Sequence, residues 1–86
     1  MKTTAYFRDV VCVKRPYLTA EVVTAVLAGP LHRAVQADGR HRLWGLPPSL
    51  PGKVVRIVLL PDGETVHNGF IDRSAPPEVL QSRDRP

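Results

Sequence analysis

The chain has 86 residues, 43% of them hydrophobic, which reads as one domain with enough apolar side chains for a core and too little length for a second. Nine prolines keep its regular elements short, and no apolar run approaches the roughly 20 residues that span a bilayer. Twelve Lys and Arg against eight Asp and Glu give a net charge of +4, which suits an anionic partner such as nucleic acid or an acidic protein and equally suits a merely soluble surface.

The first sixteen residues, MKTTAYFRDVVCVKRP, are interrupted by Arg8, Asp9 and Lys14 and carry no small-residue cleavage site, so a signal peptide is not expected. Residues 5–14 are rich in β-branched and aromatic side chains and predict a short strand or an extended arm, with a helix as the alternative. Arg15 closes this segment, because Pro16 pushes the residue before it away from helical angles. Cys12 is the single cysteine and has no internal disulfide partner. It is expected to pack as a small hydrophobe, in a reducing, cytoplasmic setting.

Thr19 has the character of a helix N-cap, with Glu21 in the first turn where negative charge is favoured. Val22, Val23, Val26 and Leu27 then recur at helical spacing and predict a helix over residues 20–28, stopped by Gly29 in a left-handed cap and by Pro30. So short a helix depends on a sheet to pack against. Two hairpins follow, 31–36 with 40–46 and 53–60 with 64–72, around Ala37-Asp38-Gly39 and Pro61-Asp62-Gly63. Asp-Gly suits a type I turn followed by a glycine in the left-handed bulge position. A proline-rich loop, 47–52, joins the hairpins, and residues 74–86 read as a flexible tail that leaves 1–73 as the domain. The predicted fold class is α+β: a four-stranded antiparallel meander, one face covered by the short helix and the N-terminal segment.

Register then decides which side chains meet. In the first hairpin the bulged turn pairs Gln36 with Arg40, Ala34 with Arg42 and His32 with Trp44, so Arg40, Arg42 and Trp44 alternate on one face. Two guanidinium groups and an indole in a row can hold phosphates and stack a base. The structural alternative is that Trp44 anchors the core edge beneath the arginine stems. In the second hairpin the same turn pairs Leu60 with Glu64, Val58 with Val66, Arg56 with Asn68 and Val54 with Phe70. His67 then lies on the opposite face beside Ile57. A plain two-residue turn would set Arg56 against Gly69, with His67 on the same face. Arg56, midway along an apolar strand, is either a rigidly held cation for a phosphate or the partner of Asp72, Asp9 or Glu21 in a salt bridge. His67 is a candidate general acid or base, or a packed strand histidine. Arg73 adds a second phosphate contact or solvates the strand end. His32, His41 and His67 lack the close pairing of a metal site, and neither a phosphate-binding glycine loop nor a serine-triad motif is present, so no cofactor or metal is expected.

The residues Asp38-Gly39-Arg40, Arg42, Trp44-Gly45, Arg56-Ile57-Val58 and 62–73 form a pattern, DGR-x-R-x-WG followed by RIV-x-L-x-DGETVHNGF-x-DR. This pattern resembles small proteins related to the RelE/BrnT toxin superfamily, over residues 15–73. The resemblance implies a RelE-like fold and a metal-independent endoribonuclease that cleaves mRNA, often on the ribosome, and is neutralised by an antitoxin protein. Carried onto this chain, it gives Arg56 and Arg73 the scissile phosphate and His67 a proton. Asn68 would orient the substrate or Arg56, while Arg40, Arg42 and Lys53 would track the backbone. The chain departs from many relatives, which carry a longer N-terminal helix with histidine and arginine; its 20–28 helix is short and apolar, and Gly69 leaves a gap in the strand. The alternative reading is a non-catalytic module that holds RNA or a protein partner on the same basic sheet.

Overall fold

Four strands organise the computed structural model, which describes residues 1–79. They are β1 (His32–Val35), β2 (His41–Gly45), β3 (Val55–Leu59) and β4 (Val66–Ile71), antiparallel in the order β1-β2-β3-β4. This is the expected meander within an α+β fold. Strand alternation turns Leu43, Val55, Ile57 and Leu59 to one face, where all four are buried. A helix here called α2 (Ala20–Ala28) covers that face with Val22, Val23 and Val26, and Leu27 packs half-buried at its side. Its N-terminus is capped as predicted: Val22 N–H donates to Thr19 Oγ1 at 3.2 Å. Gly29 does not take the left-handed cap. Its φ is −146°, because Pro30 after it favours extended backbone, and its N–H still reaches the Ala25 carbonyl at 3.2 Å.

Residues 5–14 are helical rather than extended. A π-helical turn, Phe7–Val11, runs into one α-helical turn, α1 (Cys12–Lys14), with Cys12 N–H donating to the Phe7 carbonyl. Phe7 and Val11, four residues apart, fall on one helix face and both are buried in the core. Burying such a side chain is worth about 1.5–3 kcal/mol, whereas β-branched residues cost a helix only about 0.7 kcal/mol or less each. Tertiary packing therefore overrides local preference. The extended piece lies just upstream: Val66 N–H donates to the Lys2 carbonyl at 2.9 Å and Thr4 N–H to the Val66 carbonyl at 3.0 Å, so residues 2–4 lie along the start of β4.

The first hairpin has the predicted register, His32 against Trp44 and Ala34 against Arg42, with Gly39 at φ +89° in the turn. The second does not. Asp62 Oδ1 accepts from both Glu64 N–H and Thr65 N–H at 2.9 Å, so Thr65 N–H is taken by the carboxylate and pairing starts one residue later than expected. Leu60 N–H donates to the Thr65 carbonyl at 2.9 Å, and Leu59 pairs with Val66. His67 is then an extra residue, a β-bulge, after which Val58 pairs with Asn68 and Arg56 with Phe70. Arg56 thus faces Phe70 and not Asn68. Past the bulge the displacement is two residues, an even number, so Asn68 and Phe70 keep their expected face; before it the displacement is one, and Val66, expected opposite Val58 on the Arg56 face, is buried on the helix side instead. Hydrogen bonds from the Thr65 hydroxyl, then from the Thr65 and Glu64 N–H groups, lower the Asp62 pKa to about 2.

Gly69 leaves no gap in β4. A Cβ there would sit 2.9 Å from Ile57 Cδ1 and 3.3 Å from Leu18 Cδ1, so the glycine admits neighbouring side chains into the space. Beyond Arg73 the chain turns on Asp72, whose Oδ1 accepts from Ser74 N–H at 3.0 Å. Residues 77–79 form a helical turn that brings Val79 down against Trp44 and Val54. The rest of the expected tail, 80–86, lies outside the described residues. Among those described, no helix is long and apolar enough to cross a membrane.

Candidate functional site

The sheet face turned away from the helices carries Ala34, Arg42, Trp44, Arg56, Val58, Asn68 and Phe70, by strand alternation. Trp44 lies at its centre and is only 1% exposed. Its indole N–H donates to Asp72 Oδ2 at 2.9 Å, satisfying the one polar atom that burial would otherwise penalise. The base-stacking role expected of Trp44 is closed in this conformation, and the anchoring role is the one occupied.

Arg56 lies between two rings. Its Cζ is 5.6 Å from the Trp44 ring centroid and 5.1 Å from that of Phe70, distances at which an aromatic face attracts a cation. Its Nη1 is 3.9 Å from Asp72 Oδ2, at the long limit of an ion pair. Its Nε is buried with no hydrogen-bond partner among the described residues. Burial lowers the Arg56 pKa, the charge of Arg42 lowers it further, and Asp72 opposes both. An arginine nevertheless keeps its proton, so Arg56 is a partly desolvated cation with incomplete neutralisation. Arg42, one strand over and one pair along, is held by Gln36: with the amide oxygen turned toward it, Gln36 accepts from Arg42 Nε and Nη2 at 3.0 Å each.

The other expected binding residues are spread around this pair. Arg40 folds back on its own turn, its Nε 3.7 Å from Asp38 Oδ2. Asn68 shares the face with Arg56, but its Oδ1 accepts from Gly69 N–H at 2.9 Å. Lys53 and Arg73, both exposed, meet at a shallow cleft of about 280 Å³ lined also by Val54 and Asp72. Asp72 is therefore the hub. Its carboxylate takes the Trp44 indole, the Ser74 N–H and the Arg56 guanidinium, and it lines the cleft of Lys53 and Arg73.

His67 is elsewhere. The bulge turns it toward the N-terminal helix, where Nδ1 lies 3.0 Å from Thr4 Oγ1 and the ring stacks on Tyr6 at 5.1 Å. Thr4 Oγ1 also accepts from Phe7 N–H at 3.0 Å, which ties this hydroxyl to the start of the N-terminal helix. Two of the three residues assigned to catalysis by the resemblance, Arg56 and Arg73, are linked through Asp72, and the third is across the sheet. Sequence reasoning weighed Asp72 only as an ion-pair partner of Arg56 and passed over Phe70. Both stand at alternate positions from Asn68, which was the available signal. Among the described residues no three His, Cys, Asp or Glu side chains gather as metal ligands. Compared with protein-family models, curated proteins and solved structures, the chain matches none.

Proposed function

We propose that the protein is a non-catalytic binding module whose sheet face opposite α2 holds an anionic chain, single-stranded RNA in the first instance. One observation carries this reading: Arg42 and Arg56 are diagonal neighbours on that face, and the carboxylate that Arg56 meets is 3.9 Å away and shared with the Trp44 indole. A phosphate bridging the two guanidinium groups would relieve their repulsion and supply charge-assisted hydrogen bonds. Lys53 and Arg73 extend the positive charge at one end and Arg40 at the other. A sheet face presenting arginines beside aromatic rings suits splayed single strands better than the narrow groove of a duplex.

A RelE-like relationship belongs to the same proposal and is supported by the sequence pattern alone: Asp38-Gly39-Arg40, Arg42, Trp44-Gly45, Arg56-Ile57-Val58 and residues 62–73. Cleavage would ask for a proton-handling group beside the phosphate. The histidine proposed for that work is bonded to Thr4 on the other face, which favours binding over an endoribonuclease. The test is a titration with single-stranded RNA in EDTA at rising salt. Binding should weaken linearly on a logarithmic plot, with roughly 0.7 less slope for each phosphate contact removed by Arg42→Gln or Arg56→Gln, and the RNA should stay intact. Cleavage that disappears in Arg56→Ala would restore the endoribonuclease reading. No binding at low salt would overturn the module.

A further inference from the structure

The described part of the C-terminal segment lies over the centre of the proposed binding face. Ala75 and Val79 pack on Trp44 and Val54, and Val79 is fully buried. Within this segment Ser74 N–H donates to Asp72 Oδ1 and Val79 N–H to the Pro76 carbonyl at 3.0 Å. Pro76 and Pro77 preset its course, so it lies down with little conformational freedom to lose. Two small apolar side chains, Ala75 and Val79, meet a surface that contains the one tryptophan of the chain.

The surface beneath is already shaped. The Trp44 ring is fixed by its bond to Asp72, a contact that does not involve Val79. Arg56 lies 5.6 Å from its centroid, and the His32 ring is 5.7 Å away on the adjacent strand. An indole held in place beside two groups able to contact a phosphodiester is the arrangement that single-strand binding surfaces use, because every base offers a π-face. Resting on the RNA-binding reading above, we propose that residues 74–79 are a displaceable strap, and that a nucleobase of the bound strand replaces Val79 to stack on Trp44. Phosphate contacts to Arg42 and Arg56 then bring the strand to the sheet, and the strap determines whether bases are engaged. Apparent affinity for a base-bearing strand is reduced by the fraction of molecules with the strap closed.

Trp44 emission reports the event directly. Two probes of about 12 nucleotides, oligouridylate and an abasic oligomer of equal length, would be titrated against the protein and against Val79→Asp. Oligouridylate should quench Trp44 and the abasic strand should not. If the strap is open one-tenth of the time in the parent, Val79→Asp should raise the affinity ratio of oligouridylate to the abasic strand up to about tenfold, the ratio cancelling the repulsion that the new carboxylate exerts on both strands. Circular dichroism checks that the variant is folded; should it not be, Val79→Ala is read in its place, with a smaller gain of the same sign. Salt-sensitive binding of both strands without quenching, and without any gain in the Val79 variants, overturns the strap and leaves the binding module standing. Binding of neither strand removes both.

Discussion

The two faces of the sheet are built from the same strands and obey different rules. On the helix side, Leu43, Val55, Ile57 and Leu59 meet Phe7, Val11, Val22, Val23 and Val26, and stability comes from apolar area taken out of water. On the other side, alternate residues of β2, β3 and β4 place Arg42, Arg56 and Asn68 around Trp44 and Phe70. That face contains a guanidinium whose buried Nε lacks a hydrogen bond among the described residues, and an ion pair at its outer distance limit. A fold optimised only for stability would gain by replacing Arg56 with an apolar residue. One face thus holds the structure through apolar burial, whereas the other tolerates an electrostatic cost that stability alone does not require.

The two faces separate most clearly at adjacent residues of β3. Ile57→Ala should lose about 2–5 kcal/mol of unfolding free energy in a urea titration, whereas Arg56→Met should stay within about 1 kcal/mol of the parent, or exceed it, while losing RNA affinity. Equal losses at the two positions would erase the distinction. Trp44→Phe should cost about 1–3 kcal/mol, because it removes a hydrogen-bond donor from the buried Asp72 carboxylate. On the helix side, Thr19→Ala should cost about 1 kcal/mol through the lost cap. His67→Gln should lower the melting temperature and leave RNA binding untouched; a drop in affinity would place His67 in the working surface after all. The smallest effect is expected at the second turn. The Asp62 carboxyl is lowered to about 2 in the folded chain, against an ordinary value of about 3.9. Its contribution is present above the unfolded value and is lost as pH falls toward 2. Asp62→Asn should therefore melt slightly below the parent at neutral pH, and the difference should vanish in acid.

Local chemistry was legible in the sequence wherever neighbours along the chain settled the outcome. Thr19 and Glu21 marked the start of α2, and Asp38-Gly39 set the register of the first hairpin. The faces of Asn68 and Phe70 in the second hairpin were also legible, since alternation survives a two-residue shift, but that of Val66 was not, because the bulge at His67 moves it to the helix side. Where distant groups decide, the reading failed. Residues 5–14 read as a short strand or extended arm by composition, with a helix only as the alternative, and they become helical because Phe7 and Val11 find the sheet. The second register was lost to a single carboxylate, Asp62, that captured Thr65 N–H. The site was half visible: Arg40, Arg42 and Trp44 could be placed on one face of the first hairpin, and Arg56 and Asn68 on one face of the second, but the β2–β3 pairing that joins them, Asp72 as the partner of both Trp44 and Arg56, and Val79 as the cover over Trp44 depend on contacts between distant parts of the chain.

The bulge at His67 also sets which kinds of genetic change this protein can absorb. Val66 belongs to the helix side and Asn68 and Phe70 to the other, and the extra residue is what allows one strand to serve both. Most single substitutions in β4 leave that division intact. Deleting one residue between Val66 and Asn68 cannot: it either expels Val66 from the core or turns Phe70 away from Arg56. Lineages of this chain should therefore vary in β4 by replacement and hold its length constant, with insertions and deletions confined to the loops on either side.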